Sequence, residues 1–315
     1  MIADAPLFND LAQGPAGGRA WWLTTADGVR IRMAHWPSQD QAAEKGSILL
    51  FPGRTEYIEK YGRIAAAFAA RGHATVVIDW RGQGLTERPR LDRMVGYVKE
   101  FYSYQKDLAA VLAKLDELGL PKPSYLVSHS MGGCIALRSL LNGLQIKAAA
   151  FSAPMWGIQF APGLGPIARL IAVVGAHLGM GLRYAPGTGP QTYVNATGFA
   201  GNMLTRDPET FGWLQSQAVS KPELTLGGPS LQWLNAALCE CHALRTLAAP
   251  PLPAICFLGE SERIVDPAAI HARMAHWSSA TLTMVPEAEH EIMMEIPATR
   301  NRFLDATTAL FATNP

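Results

Sequence analysis

A serine stands among small residues in a pattern that predicts a sharp turn between a strand and a helix. The segment "YLVSHSMGGCIA" (125–136) has an apolar run before Ser130 and another after it. A serine hydroxyl attacks a carbonyl group only when a base removes its proton and the substrate can reach the oxygen. A tight strand-to-helix turn exposes the hydroxyl, and the N-terminus of the helix favours developing negative charge. Ser130 is therefore predicted to be a nucleophile.

The crowding in such a turn requires small residues two positions before and two positions after the nucleophile. Ser128 and Gly132 occupy these positions. The usual form has glycine at both, so Ser128 departs from it while remaining small. The alternative interpretation is an ordinary helix N-terminus that is capped by Ser128 or Ser130.

Acyl transfer also requires backbone N–H groups that hold the oxyanion of the intermediate. The segment "LLFPGRTE" (49–56) follows an early apolar run, and Gly53 allows the backbone to approach a ligand closely. Pro52 has no N–H to donate. We predict that the N–H groups of Arg54 and Met131 bind the oxyanion. The alternative is a plain turn between a strand and a helix.

The base and the acid that orients it are expected late in the chain. The segment "PEAEHEIMMEIP" (286–297) places His290 just after the last apolar run, where a histidine can lie beside the serine. His129, next to Ser130, is expected to point away from the site. The segment "FLGESERIVD" (257–266) offers Glu260, Glu262 and Asp266 as the acid. Serine, acid and histidine then follow one another in the order typical of one class of hydrolases.

The elements that position these residues are apolar strands that alternate with helical patterns. Strands that are apolar throughout predict a mostly parallel sheet with helices on both faces. Asp27-Gly28 lies between two strand-like runs and predicts a β-hairpin that precedes the parallel strands along the chain. The segment 154–245 interrupts the alternation, because it is rich in Pro, Gly, Met and Trp and contains no buried-strand run. We predict a core of residues 1–153 and 246–315, with a helical cap inserted at 154–245.

Composition excludes several other classes of protein. The 315 residues carry a formal net charge of +1 without a block of like charges, so no nucleic-acid partner is expected. No secretory signal and no stretch of about 18 apolar residues is visible. Cys239-Glu240-Cys241-His242 has the wrong spacing for a zinc site, so no metal is predicted. We expect a cytoplasmic protein with reduced cysteines, no protein partner, and peripheral contact with the inner membrane face through the cap.

Four segments resemble the α/β-hydrolases of the bacterial lysophospholipase and monoacylglycerol lipase group. They are "FPGRTEYIEKYGRIAAAFAARGHATVVIDWRGQGLTERP" (51–89), "LVSHSMGG" (126–133), "LGESERIVD" (258–266) and "EAEHEIMMEIPATRNRFLD" (287–305). The resemblance implies an α/β-hydrolase fold, a Ser-Asp-His triad, a helical cap over an acyl-binding pocket, and no cofactor. The acid of this family is usually an aspartate at the position of Glu262.

Glu262 is predicted to be the acid. Glu260 follows the predicted strand too closely, and Asp266 before Pro267 is typical of a helix N-cap whose carboxylate binds helix N–H groups. Glutamate serves this role in other members of the fold. A further hypothesis pairs Glu56 with Arg81 beneath the oxyanion loop, and its alternative is a solvated glutamate in the first turn of a helix.

The function implied is a serine hydrolase that cleaves carboxylic esters of single-chain lipids. Two alternatives remain: an aminopeptidase-like enzyme, for which Asp207 and Glu209 of the cap would hold the substrate amine, and a binding protein without catalysis. The segment 166–184 is expected to be helical, with an apolar face toward a pocket or a lipid surface. The residues predicted to line the acyl pocket are Met155, Trp156, Ile158, Phe160 and Ile171.

Overall fold

The protein is described by a computed structural model that covers residues 4–89 and 91–315. Its described residues form one sheet of eight strands. The strands are β1 (Arg19–Thr24), β2 (Arg30–Trp36), β3 (Ser47–Phe51), β4 (Ala74–Asp79), β5 (Tyr125–His129), β6 (Ala148–Ser152), β7 (Ala254–Gly259) and β8 (Ala280–Val285). The predicted hairpin at Asp27-Gly28 joins β1 to β2.

The strand order explains where a site can form. The order is β1-β2-β4-β3-β5-β6-β7-β8. The last six strands of this order, β4, β3, β5, β6, β7 and β8, run parallel to one another. The predicted mostly parallel sheet is therefore confirmed. The chain passes from β3 to β4 on one side and then returns to β5 on the other. The loops that follow β3 and β5 diverge at this point, and ligands of open α/β sheets bind in the crevice that opens there.

The central strands are buried on both faces, as their uninterrupted apolar sequences require. In β3, Ile48 and Leu50 pack into the core on one face of the sheet, and Leu49 and Phe51 pack into the core on the other. This two-sided burial needs helices on both faces. The helices are α1 (Asn9–Ala12), α2 (Gly62–Ala69), α3 (Ser103–Glu117), α4 (Met131–Leu141), α5 (Leu164–His177), α6 (Tyr193–Ala196), α7 (Pro208–Ser220), α8 (Leu231–Arg245), α9 (Pro267–Ala275) and α10 (Pro297–Ala312).

The chain between β6 and β7 forms helices α5 to α8 and contributes no strand to the sheet. The expected helix at 166–184 is shorter than predicted, because α5 ends at His177 and Gly179 adopts a left-handed conformation with φ +76°. Ser230 caps the N-terminus of helix α8, and its side chain accepts a hydrogen bond from the Trp233 N–H. The chain between β6 and β7 is thus helical, and the division into a core and a cap at 154–245 stays a prediction.

Candidate active site

Ser130 occupies a strained turn between β5 and α4. Its backbone has φ +50° and ψ −119°, a region that costs a non-glycine residue about 1–3 kcal/mol and is typical of functional sites. Two backbone hydrogen bonds hold the turn: the Ser130 N–H donates to the Ser152 carbonyl at 3.1 Å, and the Met155 N–H donates to the Ser130 carbonyl at 2.8 Å. A Cβ atom at Gly132 would overlap the Phe51 carbonyl oxygen, so this position requires glycine.

Ser128 fills the position where the usual turn has glycine. Its side chain is fully buried, and its hydroxyl has no hydrogen-bond partner within residues 4–89 and 91–315. The turn therefore accepts serine because serine is small, and the hydroxyl contributes no hydrogen bond to the described structure.

His290 and Glu262 form a buried pair beside this turn. The His290 Nδ1 lies 2.7 Å from Glu262 Oε2, while Glu262 Oε1 accepts the N–H groups of Ile264 at 2.7 Å and Val265 at 3.0 Å. Burial alone would lower the pKa of His290, but the adjacent Glu262 carboxylate outweighs it and raises this pKa above 6.5. Burial would raise the pKa of Glu262, and the charge of His290 lowers it below 4.5 instead. Nδ1–H donates to Glu262, so Nε2 carries the free lone pair of the neutral ring.

Asp266 has a different environment. Its Oδ1 accepts the Ala268 N–H at 3.0 Å at the start of α9, as its position before Pro267 predicts. The structure brings Glu262 to His290 and leaves Asp266 as a helix cap. Glu260, the third candidate, is exposed.

The loop after β3, which is predicted to bind the oxyanion, is held by several hydrogen bonds. Neither the Arg54 N–H nor the Met131 N–H has an acceptor within the described residues. The Gly53 N–H donates to a Glu56 carboxylate oxygen, and a Cβ atom at Gly53 would lie 3.0 Å from that oxygen. The Gln83 amide donates to the Gly53 carbonyl at 3.0 Å. Two backbone donors thus remain free at the end of β3 and the start of α4.

The hypothesis that Glu56 pairs with Arg81 is wrong. Arg81 binds Asp27 at 2.9 Å and Asp107 at 2.7 Å, because the hairpin and α3 supply two carboxylates on its side of the sheet. Glu56 instead accepts from Lys60 at 2.7 Å, one helical turn along its own segment. Gln83, in the loop that follows β4, binds the Gly53 carbonyl at 3.0 Å and so holds the backbone that Arg81 was predicted to fix.

A second buried group of polar residues lies against His290. His129 does not point away from the site: its ring centroid lies 4.6 Å from that of His290. Burial lowers the pKa of His129 to about 3, so the ring is neutral. The Lys60 ammonium binds Glu56 at 2.7 Å and Glu291 at 2.6 Å. Glu56, His129 and Glu291 have metal-ligand types within 4.8 Å of one another, but Lys60 already supplies the positive charge that binds the two carboxylates.

Two cavities meet at Ser130. The first has a volume of about 700 Å³ and contains polar groups, including Glu56, Lys60, His290 and Glu291. The second has a volume of about 470 Å³ and is mainly apolar. Of the five residues predicted to line the acyl pocket, four line this second cavity, namely Met155, Ile158, Phe160 and Ile171.

The prediction that Trp156 lines the acyl pocket is wrong. Its indole N–H donates to the Gly133 carbonyl at 3.1 Å, and its ring packs on Phe151 and Trp277 in the core. The hydrogen bond from the Met155 N–H to the Ser130 carbonyl fixes Met155 beside Ser130. The next side chain along the chain faces the opposite direction, into the core under α4.

The geometry agrees with a comparison against known protein families. A family described as "Serine aminopeptidase, S33" matches residues 42–297. This match includes the turn of Ser130, the oxyanion loop, Glu262 and His290. The chain belongs to the serine aminopeptidase S33 family. The family description covers hydrolases, so the resemblance to α/β-hydrolases that the sequence motifs indicated is confirmed.

Named relatives of this S33 family member are lipid hydrolases. It is 28% identical to a probable lysophospholipase L2 of Haemophilus influenzae, over 90% of this chain and 88% of that protein. It is also 28% identical to lysophospholipase L2 of Escherichia coli K12, over 92% of this chain and 86% of that protein.

Solved structures of the same fold cover nearly the whole S33 chain. A monoglyceride lipase of Saccharomyces cerevisiae, in complex with a substrate analogue, superposes with a TM-score of 0.72 at 21% identity and covers 93% of this chain and 95% of its own. An α/β-hydrolase of Penicillium superposes with a TM-score of 0.64 at 15% identity over 94% and 98% of the two chains. The fold is therefore the α/β-hydrolase fold, as predicted.

Proposed function

We propose that this protein is a serine hydrolase that cleaves carboxylic esters of single-chain lipids, of the lysophospholipase or monoacylglycerol lipase type. The observation that carries the proposal is that an apolar cavity and a second cavity, whose wall includes charged side chains, meet at Ser130. A lipid with one acyl chain and a polar head group has the same division at its ester bond. The names of the lysophospholipase L2 relatives and of the monoglyceride lipase support the same substrate class.

The reaction follows from the hydrogen bonds around His290. Ser130 Oγ attacks the ester carbonyl carbon, and its proton passes to His290 Nε2, which is free because Nδ1 donates to Glu262. The N–H groups of Arg54 and Met131 bind the oxyanion. The intermediate expels the alcohol, which takes the proton from His290. A water molecule then attacks the acyl-enzyme in the same way and releases the fatty acid.

In this proposal residues 154–245 act as a cap that selects the substrate. The apolar cavity lies between Met155, Ile158 and Phe160 near the core and α5 of the cap. A cavity of about 470 Å³ suits one acyl chain and excludes the bulk of a triacylglycerol.

The cap also supports contact with a lipid surface. No helix within the described residues is long and apolar enough to span a membrane. Helix α5 and the residue that follows it, however, expose large apolar side chains that are each between 42 and 68% exposed: Leu164, Ile167, Leu170, Val174 and Leu178. Such a face is typical of helices that lie in a membrane interface. We include peripheral membrane binding through α5 in the proposed function.

The aminopeptidase alternative has weaker support than the family description suggests. Asp207 Oδ1 accepts the Glu209 N–H at 3.1 Å as the cap of α7, and Glu209 binds Arg63 at 2.7 Å. Neither carboxylate lines the two cavities at Ser130. An amine-binding acid of the kind this alternative requires is therefore lacking at both predicted positions.

The test is a substrate panel assayed with the purified protein and with Ser130→Ala. The panel contains lysophospholipids, monoacylglycerols, a triacylglycerol and aminoacyl amides, and a fluorophosphonate probe reports a reactive serine. We expect hydrolysis of the single-chain lipids and labelling by the probe, with turnover lowered roughly a million-fold in Ser130→Ala. Faster cleavage of aminoacyl amides would favour the aminopeptidase, and a protein that neither reacts with the probe nor turns over would be a binding protein.

A further inference from the structure

The Arg54 side chain lies on the wall of both cavities beside Ser130. Its Nη1 donates to the Gly227 carbonyl at 3.0 Å, and its Cζ lies 5.3 Å from the centre of the Trp233 ring. No carboxylate lies within 4.0 Å of this guanidinium in the described parts of the chain. Arg54 therefore has a positive charge without a counterion, and it has N–H donors to spare.

The other cationic groups at the site have partners. Lys60 lies between the carboxylates of Glu56 and Glu291, and His290 is paired with Glu262. Burial lowers the pKa of Arg54 to about 10, so the side chain remains charged at neutral pH. A partly desolvated charge is costly unless a ligand or a neighbouring group compensates it. The missing partner at Arg54 is an anion.

We infer that the Arg54 guanidinium binds the phosphate of the substrate's leaving group, which makes lysophospholipids preferred over uncharged monoacylglycerols. This inference rests on the proposed ester hydrolysis and names its substrate class. The phosphate of a lysophospholipid is separated from the scissile ester by the short glycerol backbone. Arg54 and Ser130 line the same two cavities, so the Arg54 N–H would bind the oxyanion while its guanidinium, at the end of a long side chain, binds the phosphate.

Charge and geometry both favour the guanidinium over Lys60 as the phosphate ligand. The ammonium of Lys60 is paired with two carboxylates, those of Glu56 and Glu291. This cluster has a net negative charge when both carboxylates are ionised, so it repels a phosphate. A guanidinium binds two phosphate oxygens at once in a planar geometry, and such charge-assisted hydrogen bonds are strong. A monoacylglycerol has hydroxyl groups but no anionic group, so it cannot compensate the charge of the guanidinium.

The experiment compares two substrates with the same acyl chain, 1-oleoyl-lysophosphatidylethanolamine and 1-monooleoylglycerol, at a fixed mole fraction in neutral detergent micelles. The variants are Arg54→Met, which removes the charge, and Arg54→Lys, which keeps it without the planar geometry. We expect the ratio of kcat/KM for the lysophospholipid over the monoacylglycerol to fall about 10- to 100-fold in Arg54→Met. Arg54→Lys should retain part of the preference.

Arg88→Met is the matched control, because Arg88 clamps the same part of the cap without lining either cavity. Its guanidinium donates to the carbonyls of Thr225 at 2.5 Å and Leu224 at 3.2 Å, close to the Gly227 carbonyl that Arg54 binds. We expect Arg88→Met to change kcat/KM for both substrates by the same factor. The ratio of kcat/KM for the lysophospholipid over the monoacylglycerol should then stay at the wild-type value.

An unchanged ratio in Arg54→Met, with a loss common to both substrates, would overturn the inference and assign the side chain to holding the cap. Failure of the wild-type protein to cleave either lipid would instead contradict the proposed function itself. If Arg54→Met does not fold, inhibition of the wild-type protein by small ligands tests the inference instead. Glycerol 3-phosphate should inhibit p-nitrophenyl ester hydrolysis more strongly than glycerol does, and equal inhibition would also overturn the inference.

Discussion

The carboxylate of Glu262 controls both the tautomer and the pKa of His290. Replacing it in Glu262→Gln removes the charge that raises this pKa, while the burial that lowers it remains. Activity requires the neutral ring, so the wild-type rate should rise with pH through a pKa above 6.5. In Glu262→Gln we expect this rise at lower pH and a turnover reduced about ten-thousand-fold. The measurement is kcat/KM for a p-nitrophenyl ester across the acidic and neutral range.

Asp266→Asn is the control for this prediction, because Asp266 is the other acidic candidate of the same loop. It caps α9 and does not contact His290, so the variant should keep the wild-type turnover and pH profile. Its free energy of unfolding should fall by about 1 kcal/mol or less. An inactive Asp266→Asn beside an active Glu262→Gln would exchange the two roles.

Residue types and spacing predicted Ser130, Glu262 and His290 because each lies in the loop after one strand, namely β5, β7 and β8. The side chains that surround these three residues were harder to predict from the sequence. Lys60 and Glu291 bind each other across a separation of 231 residues, and nothing local in the sequence records such a contact. The spacing of Glu56 and Lys60, four residues apart, was a local signal for that ion pair alone.

At the scale of elements, uninterrupted apolar runs predicted the strands well. The run "ATVVID" coincides with β4, and "PAICFLG" contains β7. The bounds of the helices within residues 154–245 could not be predicted at this level, since these helices gain stability from packing on the core and on one another. The direction of each side chain was a second limit to prediction. Hydrophobicity identifies Met155 and Trp156 as buried, but it does not show that Met155 lines the cavity while Trp156 enters the core.

The revised lining of the acyl cavity changes what a substitution there should do. Ile171 lines the apolar cavity, so Ile171→Asp should raise KM for long-chain esters at least about 10-fold more than for acetate esters, because the charge must be desolvated beside the chain. KM values for a series of p-nitrophenyl esters from acetate to palmitate measure this difference. Equal changes for short and long chains would remove Ile171 from the acyl site.

Trp156→Phe provides the contrast in the same series. It loses the indole hydrogen bond to Gly133 and part of the packing on Trp277, so we expect a loss of about 1–3 kcal/mol in the free energy of unfolding. KM should depend on chain length as in the wild type. A loss of long-chain preference in Trp156→Phe would return this residue to the pocket.

For the whole molecule, α5 connects the two halves of the proposed function. Leu164 and Ile167 are exposed at the surface and also line the apolar cavity. In the proposed function, the acyl chain of a lipid passes from a membrane into the cavity along this apolar surface. The formal net charge of +1 provides little attraction to anionic lipids, so binding should depend on apolar area and change little with salt.

Leu170→Glu tests this arrangement, because Leu170 is 64% exposed on α5 and lines neither cavity at Ser130. Burying one leucine in a membrane interface is worth about 1.5–3 kcal/mol, so the variant should bind phosphatidylcholine vesicles at least about 10-fold more weakly. Hydrolysis of vesicle-embedded lysolipid should fall with binding, while hydrolysis of p-nitrophenyl acetate should not change. Val219→Glu is the matched control, since Val219 is a 71% exposed apolar residue on α7 rather than α5. Equal sedimentation of both variants with vesicles would show that α5 is not the membrane-binding surface.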